Sequence, residues 1–413
     1  MKILWVKAGK LLPVDTGGKI RSYNILVQLA RVHEVTLLSY YGGRKDPAYE
    51  TDITRHLPGA EVIFTAAPES TLRQSIDYIL RLPHPAPFAV TKFTHSKVRT
   101  SVANSLHQHR FNVAVCDFLS ASLNFPRHSP VPVVLFQHNV EASLWQRMAD
   151  GENNPVRKLS YRIEAAKILK YEREALARFS HVIAVSDHDR NQMLAMDPNC
   201  EISVVPTGVD TGKYQRGPSA SGDPPVVAFT GSMDWEPNVD AMEYFCRDIW
   251  PAVVAEFPQA RFEIVGRNPA ARVQRLATKN VIVTGTVPSV AEHLRKATVV
   301  IVPLRIGGGT RLKIFEAMAM GKAMVSTSIG AEGLDVQHGR DLILADDASS
   351  FARGILEVLR DPNLRLGYED AAAKLAAQHD WSHIAARFAD ILRGASQGTS
   401  LPPRAATASA VRP

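Results

Sequence analysis

The densest run of residues suited to chemistry lies between Val299 and Lys322. Four consecutive β-branched residues, Val299-Val300-Ile301-Val302, lead through Pro303, Leu304, Arg305 and Ile306 into three glycines, Gly307-Gly308-Gly309. From Thr310 the pattern turns helical, and its opening turns carry Arg311, Lys313 and Glu316. A strand that ends at glycines and reopens as a helix leaves backbone N–H groups free at the helix start, where they attract an anion. Arg311 and Lys313 add charge-assisted hydrogen bonds suited to phosphate. Glu316 stands further along, where a carboxylate can accept from the two hydroxyls of a ribose. Phosphate at the glycines and ribose at Glu316 together describe a nucleoside diphosphate. A triple glycine that only turned the chain would not need Arg311, Lys313 and Glu316 around it.

Two further stretches have the right composition. Asp15-Thr16-Gly17-Gly18-Lys19 follows the first apolar run and leads into a helical pattern. Adjacent glycines there let backbone approach a diphosphate closely, although the same pair also makes a tight strand-to-helix turn without any ligand. Phe136-Gln137-His138-Asn139-Val140-Glu141 closes another apolar run. Ligands of open parallel sheets bind beyond the carboxyl ends of the strands, so position singles out His138 among fourteen histidines.

The elements that must position these residues alternate along the chain. Short β-branched runs recur at 2–8, 34–40, 61–66, 113–118, 132–136, 182–185 and 202–205, then at 226–230, 261–265, 281–283, 299–302, 323–326 and 342–345. Consecutive apolar positions mark strands buried on both faces of a parallel sheet. Helical patterns lie between them at 18–30, 70–82, 155–178, 310–320 and 349–359. This predicts an α/β protein with two doubly wound, Rossmann-like sheets. The Gly/Pro/Ser-rich stretch 216–225 reads as a linker, which divides the chain into a domain over 1–215 and a second over 226–378. An amphipathic helix is expected over 379–394. The remainder, 395–413, has almost no large apolar residue and is expected to be disordered.

Composition excludes several classes. At 413 residues, 45% hydrophobic and 22% charged, the chain is that of a globular protein rather than a disordered or fibrous one. Cys116, Cys200 and Cys246 are too scattered for a disulfide framework or a structural zinc site. No apolar run approaches the ~18 residues of a membrane span, and 1–14 reads as a first buried strand rather than a leader, so a cytoplasmic location is expected. The net charge of +7 resides wholly in residues 1–218, which hold 27 Lys+Arg against 20 Asp+Glu. An anionic partner suits that half. Nucleic acid is not expected, because basic and aromatic residues do not interleave.

In order along the chain, Gly17-Gly18, His138-Asn139-x-Glu141, Val185-Ser186-Asp187, 205–210, Phe229-Thr230-Gly231-Ser232, Gly266, Gly285-Thr286-Val287 and Glu316-Ala317-Met318-Ala319-x-Gly321 resemble the retaining glycosyltransferases of family 4. Any one of these elements is weak; the ordered series, spanning roughly residues 1–394, is specific. The run from Gly307 to Leu334 is similar to the sugar transferases of bacterial exopolysaccharide loci, including those tied to exosortase sorting systems. The resemblance implies a GT-B fold, two Rossmann-like domains facing across a cleft, with the acceptor on the first and a nucleotide-sugar donor on the second. It implies Glu316 at the donor ribose and His138 near the donor sugar. Gly17, Gly18, Arg311 and Lys313 are implied around the diphosphate, and Gly231, Ser232, Gly307, Gly308, Gly309 and Thr310 complete the donor-binding set. His138, Glu316, Arg311 and Lys313 then form the catalytic set, with no metal or other cofactor.

Two departures from the family pattern matter. A second glutamate is common eight residues before the helix one, and here Gly308 occupies that position; many members also place a lysine after the Gly231-Ser232 turn, where this chain has 233–238 without a base. Two other readings stay open on the same fold: a sugar-nucleotide epimerase or hydrolase, and a non-catalytic nucleotide-sugar-binding protein. The acceptor is expected to be lipid-linked or a saccharide. The helix 155–178 carries seven bases and the apolar Val156, Leu159, Ile163 and Leu169, so it could lie on an anionic membrane surface at the inner face. Alternatively its apolar stripe packs on the sheet, with Glu164, Glu172 and Glu174 pairing some of the bases.

Overall fold

The computed structural model describes residues 1–65, 77–81, 83–108, 110–152, 154–219, 224–306 and 312–398. The chain forms two compact units, Met1–Pro206 with Ile384–Pro413, and Thr207–His383.

The first unit is built on seven parallel strands: β1 (Lys2–Ala8), β2 (Glu34–Tyr41), β3 (Ala60–Phe64), β4 (Val113–Asp117), β5 (Val133–Phe136), β6 (His181–Ala184) and β7 (Ile202–Val204). They lie in the order β3-β2-β1-β4-β5-β6-β7. The chain runs outward to β3, returns past β1 and then runs outward again, so the topological switch point lies between β1 and β4. Ile3, Leu4, Val115, Val134 and Ile183 are fully buried, as two-faced parallel strands require. The helix Trp381–Gln397 contributes its part from Ile384 to this unit, where Phe388 stacks on Trp5 at 5.3 Å and meets Phe136 edge-on at 5.0 Å. That helix continues three residues past the amphipathic stretch expected to end at 394, and 399–413, most of the expected disordered tail, lie outside the described residues.

The second unit repeats the plan with six parallel strands: β8 (Val226–Thr230), β9 (Arg261–Val265), β10 (Val281–Gly285), β11 (Val299–Val302), β12 (Ala323–Ser326) and β13 (Ile343–Leu344), in the order β10-β9-β8-β11-β12-β13. Its switch point lies between β8 and β11. The unit boundary falls at 206–207, ahead of the expected linker, because residues 207–214 are tied to the second unit. Val209 N donates to His379 O at 2.8 Å, and a side chain at Gly208 would strike the ring of Trp381. Of the expected linker, 220–223 lie outside the described residues, as does most of the expected helix 70–82.

The helix Pro155–Arg178 forms as expected, with the Asn154 side chain capping the N–H groups of Val156 and Arg157. Its buried face is Glu164, Ala165, Ile168, Tyr171, Glu172, Ala175 and Leu176. Val156, Leu159, Ile163 and Leu169 are exposed, so the stripe they form does not pack on the sheet. Glu164 and Glu172 do not pair bases on the outer face either, since both are buried.

Candidate active site

In the second unit, the carboxyl end of β8 opens into Gly231-Ser232, beside the helix Leu312–Ala319 that follows β11. A Cβ on Gly231 would stand 2.7 Å from Asn238 Nδ2 and 2.9 Å from Lys313 Nζ, so the glycine leaves room for both side chains. A Cβ on Gly266, at the end of β9, would lie 1.6 Å from the Gly231 carbonyl oxygen; only glycine allows the two backbones to cross there. Lys313 Nζ donates to Asn238 Oδ1 at 3.0 Å and lies 4.1 Å above the Phe229 ring. Asn238 is itself held by donating from Nδ2 to Ser232 O at 2.8 Å, and the Ser232 hydroxyl accepts from Arg267 Nε at 2.8 Å. One turn after Lys313, Glu316 accepts from the Tyr214 hydroxyl at 2.9 Å. Burial raises the Glu316 pKa, opposed by that hydrogen bond and by Lys213 and Lys313. Burial and the Glu316 charge push the Tyr214 phenol up, so it remains a donor at neutral pH.

Lys313 and Glu316 share one helix face three residues apart, placing a cation and a hydrogen-bond-accepting carboxylate beside the glycine turn. Gly307, Gly308, Gly309, Thr310 and Arg311, also expected here, lie outside the described residues.

In the first unit, Gly17 and Gly18 open the helix Gly17–Ala30 after β1. A Cβ on Gly18 would lie 3.4 Å from Phe118 Cε2 and 3.7 Å from His138 Nδ1, so the glycine turn and the histidine are neighbours. His138 follows β5 and is buried, 3% exposed. Its Nε2 is 2.8 Å from Asp117 Oδ1, and its Nδ1 is 3.0 Å from Arg21 NH1. A guanidinium only donates, so Nδ1 accepts and Nε2 carries the proton it donates to Asp117. Burial pushes the His138 pKa down to about 4, with Arg21 and Lys7 adding to the effect against Asp117, so the ring is neutral at neutral pH. Burial also brings the Arg21 pKa down to about 10, leaving it charged.

Asp117 ends β4 at the switch point. It accepts from Trp5 Nε1 at 2.9 Å and pairs with Lys7 Nζ at 3.1 Å. Burial opposes its ionisation, but Lys7 and the hydrogen bond from His138 outweigh burial and hold the carboxyl well below the usual range. Phe118, next in the chain, has φ +78 and stacks on the His138 ring at 4.5 Å between centroids. A bulky residue in that backbone region is strained.

The structure thus brings together Gly18 with His138, and Gly231 and Ser232 with Lys313 through Asn238, with Glu316 one turn further along the helix that carries Lys313. Sequence reasoning passed over Arg21, Asp117, Tyr214 and Asn238. One signal was available: Asp117 is a carboxylate closing a run otherwise apolar, and such a charge at a buried strand end needs partners. Nothing local marked Tyr214 or Arg21. Among the described residues, no group of three or more His, Cys, Asp or Glu is placed to share a metal ion.

Two doubly wound units with ligand-ready switch points define a protein of GT-B fold. The sequence agrees: residues 16–213 match Glycosyltransferase Family 4 and residues 224–361 match Glycosyl transferases group 1. Along the chain a region matching family 4 is thus followed by a region matching group 1. It is 31% identical over 218 residues to a phosphatidyl-myo-inositol mannosyltransferase of Mycolicibacterium smegmatis, covering 50% of this chain and 55% of that one. The match therefore spans about half the length of that relative. A 44.6 kDa uncharacterized protein in the cps region of Klebsiella pneumoniae is 22% identical over 374 residues, covering 86% of this chain and 90% of that one. Among solved structures, HepE from Anabaena in complex with UDP and glucose shares the fold at a TM-score of 0.63 and 16% identity, covering 95% of this chain and 100% of that one.

Proposed function

We propose that the chain transfers a sugar from a nucleoside-diphosphate sugar to a lipid-linked or saccharide acceptor, with retention at the anomeric carbon, in the synthesis of a bacterial exopolysaccharide or surface glycan. The observation that carries this reading is the single helix face bearing Lys313 and Glu316 beside Gly231. Glu316 holds the donor ribose hydroxyls. Lys313, together with Arg311 and the backbone amides of 307–309, neutralises the departing diphosphate. That charge is met by the protein's own cations and amides, so the reaction needs no metal. His138, beside Gly18 in the first unit, is assigned to the donor sugar. Its ring is held in one tautomer by Arg21 and Asp117, which suits a residue that positions the reacting sugar.

Three findings support the reading: the family 4 and group 1 domains, the mannosyltransferase relative, and the UDP and glucose bound by a protein of the same fold. The relative in a cps region supports a surface-glycan role. The test is product analysis with a panel of nucleotide sugars and membrane extracts, with the anomeric configuration of any product read by NMR. A glycosylated acceptor with retained configuration is expected. Free sugar, an epimer, or donor binding without turnover would sink it.

A further inference from the structure

The surface of the first unit carries an apolar and basic face for which neither the donor site nor the proposed chemistry has a use. On the helix Pro155–Arg178, Val156 is 77% exposed and Leu159 61%, and Ile163 and Leu169 are exposed with them. Val156, Leu159 and Ile163 recur at the spacing of one helical stripe. A second apolar pair adjoins them. Ile79 and Leu80 are 63% and 72% exposed, and their neighbour Tyr78 donates from its hydroxyl to Ser160 O at 3.5 Å. That segment is held near the helix a second way: the Tyr78 ring meets Phe88 edge-on at 5.3 Å, and Phe88 N donates to Glu164 Oε2 at 2.8 Å.

Charge is sorted across the same helix. Two of its three acids are turned inward: Glu164 accepts from Phe88 N, and Glu172 accepts from Gln137 Nε2 at 2.8 Å and from the N–H groups of Glu141 and Ala142. Lys167 donates to His84 O and Arg178 to Ser122 O, and Arg157 lies 3.9 Å from Glu152. Lys158, Arg162, Lys170 and Arg173 make no ion pair among the described residues, and Arg162, Lys170 and Arg173 are exposed on the outer side with Leu159 and Ile163. Two of the three acids that would cancel these bases in a count along the sequence are held inside the protein, and only Glu174 stays exposed.

We propose that this face, with Leu159 and Ile163 at its centre and Ile79 and Leu80 beside them, docks the first unit on an anionic lipid bilayer. Exposed large apolar residues cost free energy in water and are satisfied at the boundary of headgroups and acyl chains. Bases flanking them reach the phosphates along their aliphatic stems, where an anionic surface attracts them. An acidic protein would match the bases but not the apolar centre, and a neutral apolar partner would leave the bases without counter-charge. The inference deepens the proposed transfer to a lipid-linked acceptor and rests on that reading for its purpose, though not for its evidence.

The experiment is co-sedimentation of the full chain, with no donor present, with vesicles of phosphatidylcholine alone or mixed with phosphatidylglycerol, at low and high salt. Binding is expected only with the anionic lipid, and to fall with salt. Replacing Arg162→Glu with Lys170→Glu should weaken it by more than about tenfold, and Leu159→Ser with Ile163→Ser should weaken it comparably without altering thermal unfolding. No binding by the unaltered chain, equal binding to neutral vesicles, or folded variants that bind as before would overturn the proposal. Should a variant unfold, the lipid and salt dependence of the unaltered chain decides. Because no sugar donor is used, loss of vesicle binding leaves the transferase reading standing, and loss of transfer with vesicle binding intact strikes that reading alone.

Discussion

Tyr214 and Glu316, 102 residues apart in the chain, are joined by a hydrogen bond in which the Tyr214 hydroxyl donates to Glu316 Oε1 at 2.9 Å. The tyrosine occupies one carboxylate oxygen and fixes the rotation of the group, leaving the other oxygen to meet a ligand. If that ligand is a ribose, Glu316→Ala should cost ~2–4 kcal/mol of nucleoside-diphosphate binding, and Tyr214→Phe about 1 kcal/mol. Calorimetry on the best-binding nucleotide of a panel checks both. Unchanged affinity in a stably folded Glu316→Ala protein would remove Glu316 from the site.

Lys313 sits where a Cβ on Gly231 would stand 2.9 Å from its Nζ, and Asn238 holds it there. If protein cations and amides neutralise the departing diphosphate, transfer should continue in excess chelator. Lys313→Met should slow it by about a hundredfold or more, the loss expected for one electrostatic stabiliser of the transition state. Activity abolished by chelator and restored by magnesium or manganese contradicts the assignment.

The His138 imidazole offers a pH test. Its folded pKa of about 4 lies below the ordinary 6.5, so between those values the unfolded chain binds more protons than the folded one. Stability from this group is therefore fully present above 6.5 and is lost as pH falls towards 4, by up to about 3 kcal/mol. Asp117 acts in the same direction but only below its ordinary 3.8. Urea unfolding across that window should show a steeper fall for the unaltered protein than for His138→Gln, whose amide can donate to Asp117 and accept from Arg21. Nitrogen NMR should find the proton on Nε2 at neutral pH. A doubly protonated ring at pH ~6 is incompatible with the network.

Gly266 gives a steric prediction. A methyl group there would overlap the Gly231 carbonyl oxygen, backbone against backbone, with no flexible side chain to yield. Gly266→Ala should destabilise the second unit by more than about 3 kcal/mol, at or beyond the upper end for overpacking. Gly9→Ala, where a Cβ meets nothing within 4 Å, should cost less despite its φ of +83. Thermal unfolding of the two variants checks the ranking.

Taken alone, the sequence determined the parallel strands, their restart at Val226 and the helix carrying Lys313 and Glu316. Strands buried on both faces must be apolar at consecutive positions, so their pattern is local and readable: β1, β8, β9, β11 and β12 begin and end where that pattern does. The tertiary structure decided which loop ends meet. The order β3-β2-β1-β4 sets β1 beside β4, which is how Lys7 reaches Asp117 across 110 residues. Arg21 reaches His138 across 117. The same holds for sidedness. A count of charges along the helix Pro155–Arg178 sets three acids against seven bases, and only packing turns Glu164 and Glu172 inward. Periodicity reports whether a side chain is buried; strand order and packing decide what it is buried against, and they depend on contacts far apart in the chain that no local window contains.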